Sequence, residues 1–253
     1  MKKIFFLPLL FVSFMVFAQQ YGTMYVAAKS GLAIRESATN SSKALGNIPY
    51  GTKVEILQAD GEIKSHIIEN MLGYWQKVKY NNKTGYILDS YLLPWAPPKL
   101  ATVKEMKQYL TQSTTAFGAK LIVKSGSMDN MEEMGWEMRK QLYKNGAEWH
   151  QNFGYEYGSD VYFLPGFSVQ QGFLLLRLLP EFKEAIGEND AFPLDSKTTT
   201  RNEEEFKIIV DKEMLGDYPW YKKLTIQYAD GAYYELQLFQ LDNQLVVSFS
   251  SGV

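Results

Sequence analysis

A proline-rich segment divides the sequence into two parts that differ in the spacing of their apolar residues. Three prolines lie between Leu93 and Lys99, and proline both removes backbone hydrogen-bond donors and favours extended conformations around it. Short strand-like runs precede this segment, whereas helix-like spacing follows it. We therefore predict two domains, over residues 21–93 and 100–253, joined by a linker at residues 94–99.

The N-terminus has the pattern of a secretory signal peptide at residues 1–18. Two lysines precede an apolar run from Ile4 to Phe17, and Val16-Phe17-Ala18 is a small-residue cleavage site. The run is shorter than the roughly 18 apolar residues that a spanning helix needs. We therefore expect cleavage after Ala18, no membrane span in the mature chain, and a periplasmic or secreted location.

The composition excludes several classes of partner. The chain has no cysteine, so an exported protein of this kind has no disulfides and each domain depends on its own core. Without the two lysines of the signal peptide, 24 basic residues stand against 28 acidic ones, a net charge of −4 with no dense basic run. Nucleic acid and anionic membranes are therefore not expected partners.

The N-terminal part shows the pattern of a small all-β fold. Runs rich in strand-forming residues alternate with turn residues over about seventy positions. The predicted strands are Gly22 to Ala28, Leu32 to Arg35, Thr52 to Ala59, Tyr74 to Tyr80 and Gly85 to Leu88. Strands this short, in so small a region, are typical of a small barrel.

Four ordered motifs in this part resemble those of bacterial SH3 domains. They are G-L-A-I-R from Gly31, K-A-L-G-N-I-P-Y-G-T-K-V from Lys43, W-Q-K-V-K-Y from Trp75, and G-Y-I from Gly85 with Y-L from Tyr91. The resemblance spans residues 21–93 and implies an SH3-like barrel, found in exported bacterial proteins and often attached to cell-wall enzymes as a targeting or ligand-binding module. The sequence departs from the compact pattern at Asp60 to Met71, where a longer loop precedes the tryptophan.

The aromatic residues of this part suggest a binding face. Trp75 lies three residues before Val78, so strand alternation puts the two side chains on opposite faces, with Trp75 outside if Val78 is in the core. Flat amphipathic rings bind peptides or sugars with little loss of entropy. We predict a ligand-binding platform formed by Tyr50, Trp75, Tyr86 and Tyr91. The alternative is that Trp75 covers the end of the barrel or packs against the second domain.

The C-terminal part combines helix-like spacing with a closing set of strands. Helices are predicted at Val103 to Leu110, from Asp129 along the stripe Met131, Met134, Met138 and Leu142, at Phe173 to Leu179 after a capping box at Ser168, and at Asn202 to Met214. Strands are predicted at Ala119 to Lys124, around a Gly-Ser-Asp turn in Tyr155 to Leu164, and at Lys223 to Tyr228, Ala232 to Leu241 and Gln244 to Phe249. Helices followed by a β-meander predict an α+β domain. Arg177 interrupts the most apolar helix, so a buried guanidinium there needs a carboxylate or carbonyl partner.

The residues exclude some catalytic chemistries and leave one open. A Cys/His peptidase needs a thiolate, and the chain has no cysteine; a zinc amidase needs several nitrogen or carboxylate ligands, and only His66 and His150 are present. We therefore predict no catalytic residues, no metal site and no cofactor. A glycosidase needs only two carboxylates, and the candidates for that role are Glu132, Glu133, Glu148, Glu156 and Asp160.

The leading hypothesis is a non-enzymatic, exported protein of the bacterial envelope. Its SH3-like domain binds a peptide or a peptidoglycan component, and its second domain mediates a further interaction, for example with an envelope protein. One alternative is a carboxylate-dependent cell-wall hydrolase that uses the SH3-like domain for targeting. The other is that the SH3-like domain is purely structural and packs on its neighbour.

Overall fold

The protein is built mainly from β-strands. The computed structural model describes residues 22–58, 61–128, 132–201 and 203–253, and within these ranges the chain forms two antiparallel sheets and two α-helices. The predicted signal peptide and the proposed helix cap Asp129 lie outside the described residues. No helix in the described ranges is both long enough and apolar enough to span a membrane.

The N-terminal sheet is formed by short strands around a small apolar core. Its strands are β1 Thr23–Val26, β2 Leu32–Arg35, β3 Ala44–Ile48, β4 Lys53–Ile56, β5 Ser65–Ile68, β6 Met71–Tyr80, β7 Lys83–Leu88 and β8 Leu92–Leu93, with a 3₁₀ turn at Asp89–Tyr91. The order is β3-β2-β7-β6-β4-β1-β8, and β5 pairs with β6 beside this path. Each of the five predicted runs contains a strand. The sequence pattern does not predict β5, which lies within the longer loop.

The C-terminal sheet has nine antiparallel strands and carries the helices. The strands are β9 Ala116–Ser125, β10 Trp136–Tyr143, β11 Glu148–Gly154, β12 Tyr157–Pro165, β13 Lys197–Arg201, β14 Glu204–Leu215, β15 Tyr218–Ala229, β16 Tyr233–Leu241 and β17 Gln244–Gly252. The helices are α1 Met106–Ser113 and α2 Val169–Leu176, and a 3₁₀ turn follows at Pro180–Phe182. The sheet order is β13-β14-β15-β16-β17-β12-β11-β10-β9.

Two of the four predicted helices are strands. The stripe that includes Met138 and Leu142 lies in β10, and the segment that includes Phe206 and Val210 lies in β14. Side chains four residues apart share one face of a helix, but they also share one face of a strand, because four is a multiple of two. The α+β prediction is therefore wrong in its helix content, whereas the strand at 119–124 and the three closing strands are confirmed.

The predicted turn in the Tyr155 to Leu164 segment is displaced. Gly158, Ser159 and Asp160 lie within β12, where they pair with both neighbouring strands. The chain reverses just before this strand instead, at Glu156, whose φ is 64°. One long strand therefore replaces the two short ones expected from the Gly-Ser-Asp sequence.

Helix α2 lies between the two sheets. Its N-terminus has the predicted capping box, since Ser168 Oγ accepts from the Gln171 N–H at 3.2 Å and Gln171 Oε1 accepts from the Ser168 N–H at 3.0 Å. Gln171 Nε2 also donates to the carbonyl of Leu92 in β8 at 3.2 Å. On the other side, a Cβ added at Gly172 would lie 2.2 Å from a Leu245 methyl group of β17. The helix can approach the C-terminal sheet this closely only because residue 172 is glycine.

The two parts of the chain share one large apolar core. Ala27, Met71 and Leu93 from the N-terminal part are buried in the same cluster as α2 and the inner face of the C-terminal sheet. The proline-rich segment packs there too, because the Trp95 ring lies 5.0 Å from Phe167 in an edge-to-face contact. A domain of about 60 residues buries only about 60% of its unfolded surface by itself. Contact with the second part therefore supplements a small core.

Candidate functional site

The structure does not leave Trp75 open to solvent. The residue is 6% exposed, its backbone N–H donates to the Lys64 carbonyl at 2.9 Å, and the His66 ring of β5 lies 6.4 Å from its own. Val78 belongs to the small N-terminal core and Trp75 does not, as expected for opposite faces of β6. The prediction of an exposed ring is wrong because the β5 segment, which the sequence pattern assigns to a loop, covers that face.

The three tyrosines of the predicted platform point to different surroundings. Tyr50 packs on the large core and donates its hydroxyl to the Pro98 carbonyl at 2.7 Å, and burial raises its pKa. Tyr86 is half-buried in β7, opposite Arg35 and Lys77. Tyr91 packs on the large core and also lines an open groove. The four rings therefore do not form one platform. Of the four predicted residues, Tyr91 is the one that lines this groove.

This cavity, which we call the interdomain groove, lies between the β1–β2 connection and the C-terminal end of α2. It has a volume of about 460 Å³ and is lined by residues 27–32, Glu69 and Tyr91 on one side and by Leu174, Arg177 and Glu188 on the other. Pockets for small ligands have volumes of roughly 300–1,000 Å³. The groove is therefore large enough for a short peptide or a sugar unit.

A buried arginine forms the floor of the interdomain groove. The Arg177 side chain is 8% exposed, and its Nη1 donates to Glu69 Oε2 at 2.6 Å and to the Asp190 carbonyl at 2.8 Å. The predicted need for a carboxylate or carbonyl partner is thus confirmed, and the carboxylate comes from the other part of the chain. Burial, reinforced by the hydrogen bond with Glu69, raises the pKa of Tyr91 to about 12. The tyrosine is therefore a neutral hydroxyl beside this ion pair at physiological pH.

A second ion pair at the rim of the groove is open to solvent. Lys29 Nζ lies 2.7 Å from Glu188 Oε1, and the two side chains are 38% and 63% exposed. Exposed pairs of this kind contribute little to stability, so a charged ligand can replace either partner at little cost. The groove consequently presents an ammonium group, the carboxylates of Glu69 and Glu188, and one aromatic ring within a single cavity.

Two of the carboxylates considered for hydrolysis, Glu148 and Asp160, are not brought together. Glu148 contacts Lys140 at 2.7 Å and His150 at 2.8 Å, whereas Asp160 accepts from Trp149 Nε1 at 2.6 Å. Trp149 lies between Glu148 and His150 in β11, so alternation puts Asp160 on the opposite face of the sheet from Glu148. These two carboxylates cannot flank one glycosidic bond.

The charge state of Glu148 also differs from that of a general acid. Burial raises its pKa, but the hydrogen bonds and charges of Lys140 and His150 outweigh that effect and lower the pKa overall. A glycosidase acid needs a raised pKa so that it is protonated when it meets the substrate. Glu156 lies in the turn before β12, and Glu132 and Glu133 precede β10.

A second cavity, which the sequence does not predict, is lined by Asp190. It has a volume of about 500 Å³ and lies between the 190–197 segment and the β13–β14 hairpin. Arg201 Nη2 and the Gly187 N–H both donate to Asp190 Oδ2 at 2.7 Å, while the Asp190 carbonyl accepts from Arg177. The loop has no recognisable motif, so only the folded chain shows that Asp190 lines one cavity and contacts Arg177 of the other.

Comparison with known proteins identifies the N-terminal part. Residues 30–92 match the family model described as bacterial SH3 domain, which confirms the resemblance drawn from the four motifs. No curated protein and no solved structure matches the chain. The match lies within the part that contains β2 to β8 and contributes Glu69 and Tyr91 to the interdomain groove.

Proposed function

We propose that this chain, in which residues 30–92 match the bacterial SH3 domain, is an exported binding protein of the bacterial envelope. Bacterial SH3 domains generally bind cell-wall or peptidoglycan components. The ligand in this proposal is a short peptide or a peptidoglycan component, held in the interdomain groove. The observation that carries the proposal is this groove, in which the SH3 domain and the segment that follows α2 together present charges of both signs beside Tyr91.

The chemistry of the groove favours a ligand that carries both an amino group and a carboxylate. The Lys29 ammonium can bind a ligand carboxylate, and the exposed oxygens of Glu69 and Glu188 can accept from a ligand ammonium. The edge and hydroxyl of Tyr91 supply an amphipathic contact between these positions. The stem peptide of peptidoglycan has both kinds of charged group, which makes it the first ligand to test.

Binding without bond cleavage is part of the same proposal. Glu148 and Asp160 lie on opposite faces of the C-terminal sheet, and the pKa of Glu148 is lowered. Glu148 and Asp160 therefore do not support the hypothesis of a hydrolase in which they act as the two catalytic carboxylates. A gel-embedded peptidoglycan digestion assay tests the point, and clearing by the purified chain would overturn it.

The binding test uses the mature chain, starting after Ala18, with purified peptidoglycan in a pull-down and with a soluble stem peptide in calorimetry. Lys29→Ala is expected to weaken peptide binding about tenfold, the equivalent of one lost charged contact of about 1.4 kcal/mol. Lys222→Ala is the matched control, because Lys222 forms a similarly exposed pair with Glu213 at 35% and 54% exposure. The control should bind like the wild type.

The outcomes separate this proposal from a purely structural role for the SH3 domain. A structural role predicts that the wild type does not bind, or that Lys29→Ala and the wild type bind equally well. Either result would overturn the assignment of the interdomain groove. Equal weakening in Lys29→Ala and Lys222→Ala would show that general surface charge, rather than the groove, attracts the ligand.

A further inference from the structure

One edge of the C-terminal sheet is an exposed strand in which apolar residues stand beside two lysines, Lys120 and Lys124. Strand β9 ends the sheet, and all ten of its residues are exposed. Among them are Phe117, Leu121, Ile122 and Val123, with Leu121 and Ile122 both more than half exposed. An edge strand presents unpaired backbone donors and acceptors, and soluble proteins usually protect such edges with charges, prolines or bulges.

The opposite edge of the same sheet is protected in the usual way. It is formed by β13, a five-residue strand with the sequence K-T-T-T-R. A cation stands at each end, and no apolar side chain lies between them. The contrast within one sheet indicates that the apolar character of β9 is not a general property of this fold.

A bulge limits the part of β9 that can pair further. Leu121 lies opposite Lys140, but Phe117 lies opposite Leu142, so the register with β10 is irregular between these points. Gly118 in this stretch has a φ of 75°, and a bulge there twists the strand away from regular pairing. Regular pairing with β10 runs from Leu121 to Ser125. That segment is the usable edge.

We propose that this edge binds a second copy of the chain, by antiparallel pairing of Leu121–Ser125 about a two-fold axis at Val123. In this register Leu121 faces the partner's Ser125, and Ile122 faces the partner's Lys124. An axis at Ile122 would place Lys120 opposite the partner's Lys124, and like charges directly opposite each other are destabilising. An axis at Leu121 would include the bulge at Gly118. Charge and backbone geometry therefore select the same axis.

The side chains next to the axis form a continuous apolar strip across the proposed dimer. Val123 lies opposite Met138 in β10, and Ser125 lies opposite Trp136; directly opposite residues share one face of a sheet. The central row therefore reads Met138, Val123, the partner's Val123 and the partner's Met138. In the next row the partner's Trp136, 40% exposed in the single chain, lies two strands from Leu121. Pairing therefore brings the exposed Val123 side chains together beside Met138, which is half-buried in the single chain.

The absence of cysteine from the sequence allows a direct test of the axis. Val123→Cys puts the only thiol of the mature chain on the axis, where it faces its own copy. Mild oxidation should convert this variant into a disulfide-linked dimer on a non-reducing gel. Thr199→Cys, at the centre of β13, is the matched control and should remain monomeric. Equal cross-linking of the two variants would overturn the proposal.

Sedimentation velocity of the mature chain tests the contact without cross-linking. The wild type should show a dimer that dissociates on dilution, and Val123→Lys should weaken it at least tenfold, whereas Thr199→Lys should not. Val123→Glu should also be monomeric, but an equimolar mixture of the Lys and Glu variants should form dimers again. Since residue 123 is exposed, circular dichroism should show all variants folded. A wild type that is monomeric at every concentration, or a dimer that Val123→Lys leaves unchanged, would overturn the proposal.

Discussion

Glu69→Gln is expected to destabilise the protein more than Arg177→Met, although the second change removes more hydrogen bonds. The Arg177 side chain is 8% exposed and the Glu69 side chain is 43% exposed. In Glu69→Gln the buried cation remains without its counter-charge. In Arg177→Met the carboxylate that remains is hydrated, and an apolar side chain of similar length fills the buried space against Phe173.

The magnitudes follow from this difference in burial. Leaving a buried charge unpaired costs about 3–5 kcal/mol, whereas replacing a buried pair by apolar groups is often close to neutral. In Glu69→Gln the new amide oxygen and the Asp190 carbonyl, 2.8 Å from Nη1, still accept from the guanidinium, which reduces the first cost to about 2–3 kcal/mol. For Arg177→Met we expect a loss of stability of about 1 kcal/mol. The cost of burying the cation is removed, but the hydrogen bonds of the guanidinium are lost as well.

Urea denaturation followed by fluorescence and circular dichroism measures both values. Because the SH3 domain and the C-terminal sheet share one core, both probes should report a single transition with an unchanged m-value. The double variant should be less destabilised than the sum of the two single changes, since the two residues interact directly. Lys222→Met, which breaks an exposed pair, should leave the stability nearly unchanged, because such pairs are screened by solvent.

Two results would contradict this reasoning. If Arg177→Met were the more harmful change, the guanidinium would be stabilising in itself, and the hydration of Glu69 would not decide the balance. If the two probes showed separate transitions in the wild type, the SH3 domain would unfold independently, and the ion pair would not connect two parts of one cooperative unit.

Three further changes test other features of the fold. Trp75→Ala should cost about 3–5 kcal/mol in urea denaturation because the ring is covered, and a loss below about 1 kcal/mol would show that it is not. Burial and the neighbouring Asp160 charge raise the pKa of Glu181. The folded protein therefore holds the proton of Glu181 more tightly than the unfolded chain does. This stabilises the fold at low pH, and the stabilisation is lost as the pH rises through the raised pKa. As the pH rises above the ordinary glutamate pKa, the wild type should therefore lose stability relative to Glu181→Gln, and a difference independent of pH would contradict this. Ser168→Ala removes the acceptor for the Gln171 N–H at the start of α2 and should lower the melting temperature, in line with a cost of about 1 kcal/mol.

Local signals in the sequence were sufficient for much of the strand content. Asp230-Gly231 and Asp242-Asn243 lie between the alternating runs that form β15 to β17, so turn chemistry and periodicity indicate the same structure. The capping box at Ser168 marks the start of α2 for a similar reason, because Ser168 and Gln171 lie within one turn and satisfy each other's backbone groups. Features that depend on a few adjacent residues could be predicted.

The errors arise where one spacing fits two structures or where a distant segment decides burial. Met138 and Leu142 share a face in a helix and in a strand alike, and only the pairing of β10 with β9 and β11 selects the strand. Trp75 lies on the face opposite Val78, as alternation requires, but its exposure depends on β5. Periodicity predicts on which face of a strand a side chain lies, but not whether another segment of the chain covers that face.

The interdomain groove could be predicted only in part. The need of Arg177 for a partner follows from its place in an apolar helix, but Glu69 is 108 positions away in the sequence, and no local pattern connects the two. Tyr91 was a candidate because it belongs to an SH3 motif, and it does line the groove. Lys29 and Glu188, which supply the exposed charges, stand in segments without a motif.

The position of β17 has a consequence for the order in which the chain can fold. This strand is the last of its sheet in the sequence, yet it lies in the middle, between β16 and β12. During synthesis, the meander β9 to β12 and the meander β13 to β16 emerge first and have no strand to join them. The nine-stranded sheet therefore closes only after residues 244–252 have left the ribosome. Until then, the chain lacks the strand that joins the two halves of its largest sheet.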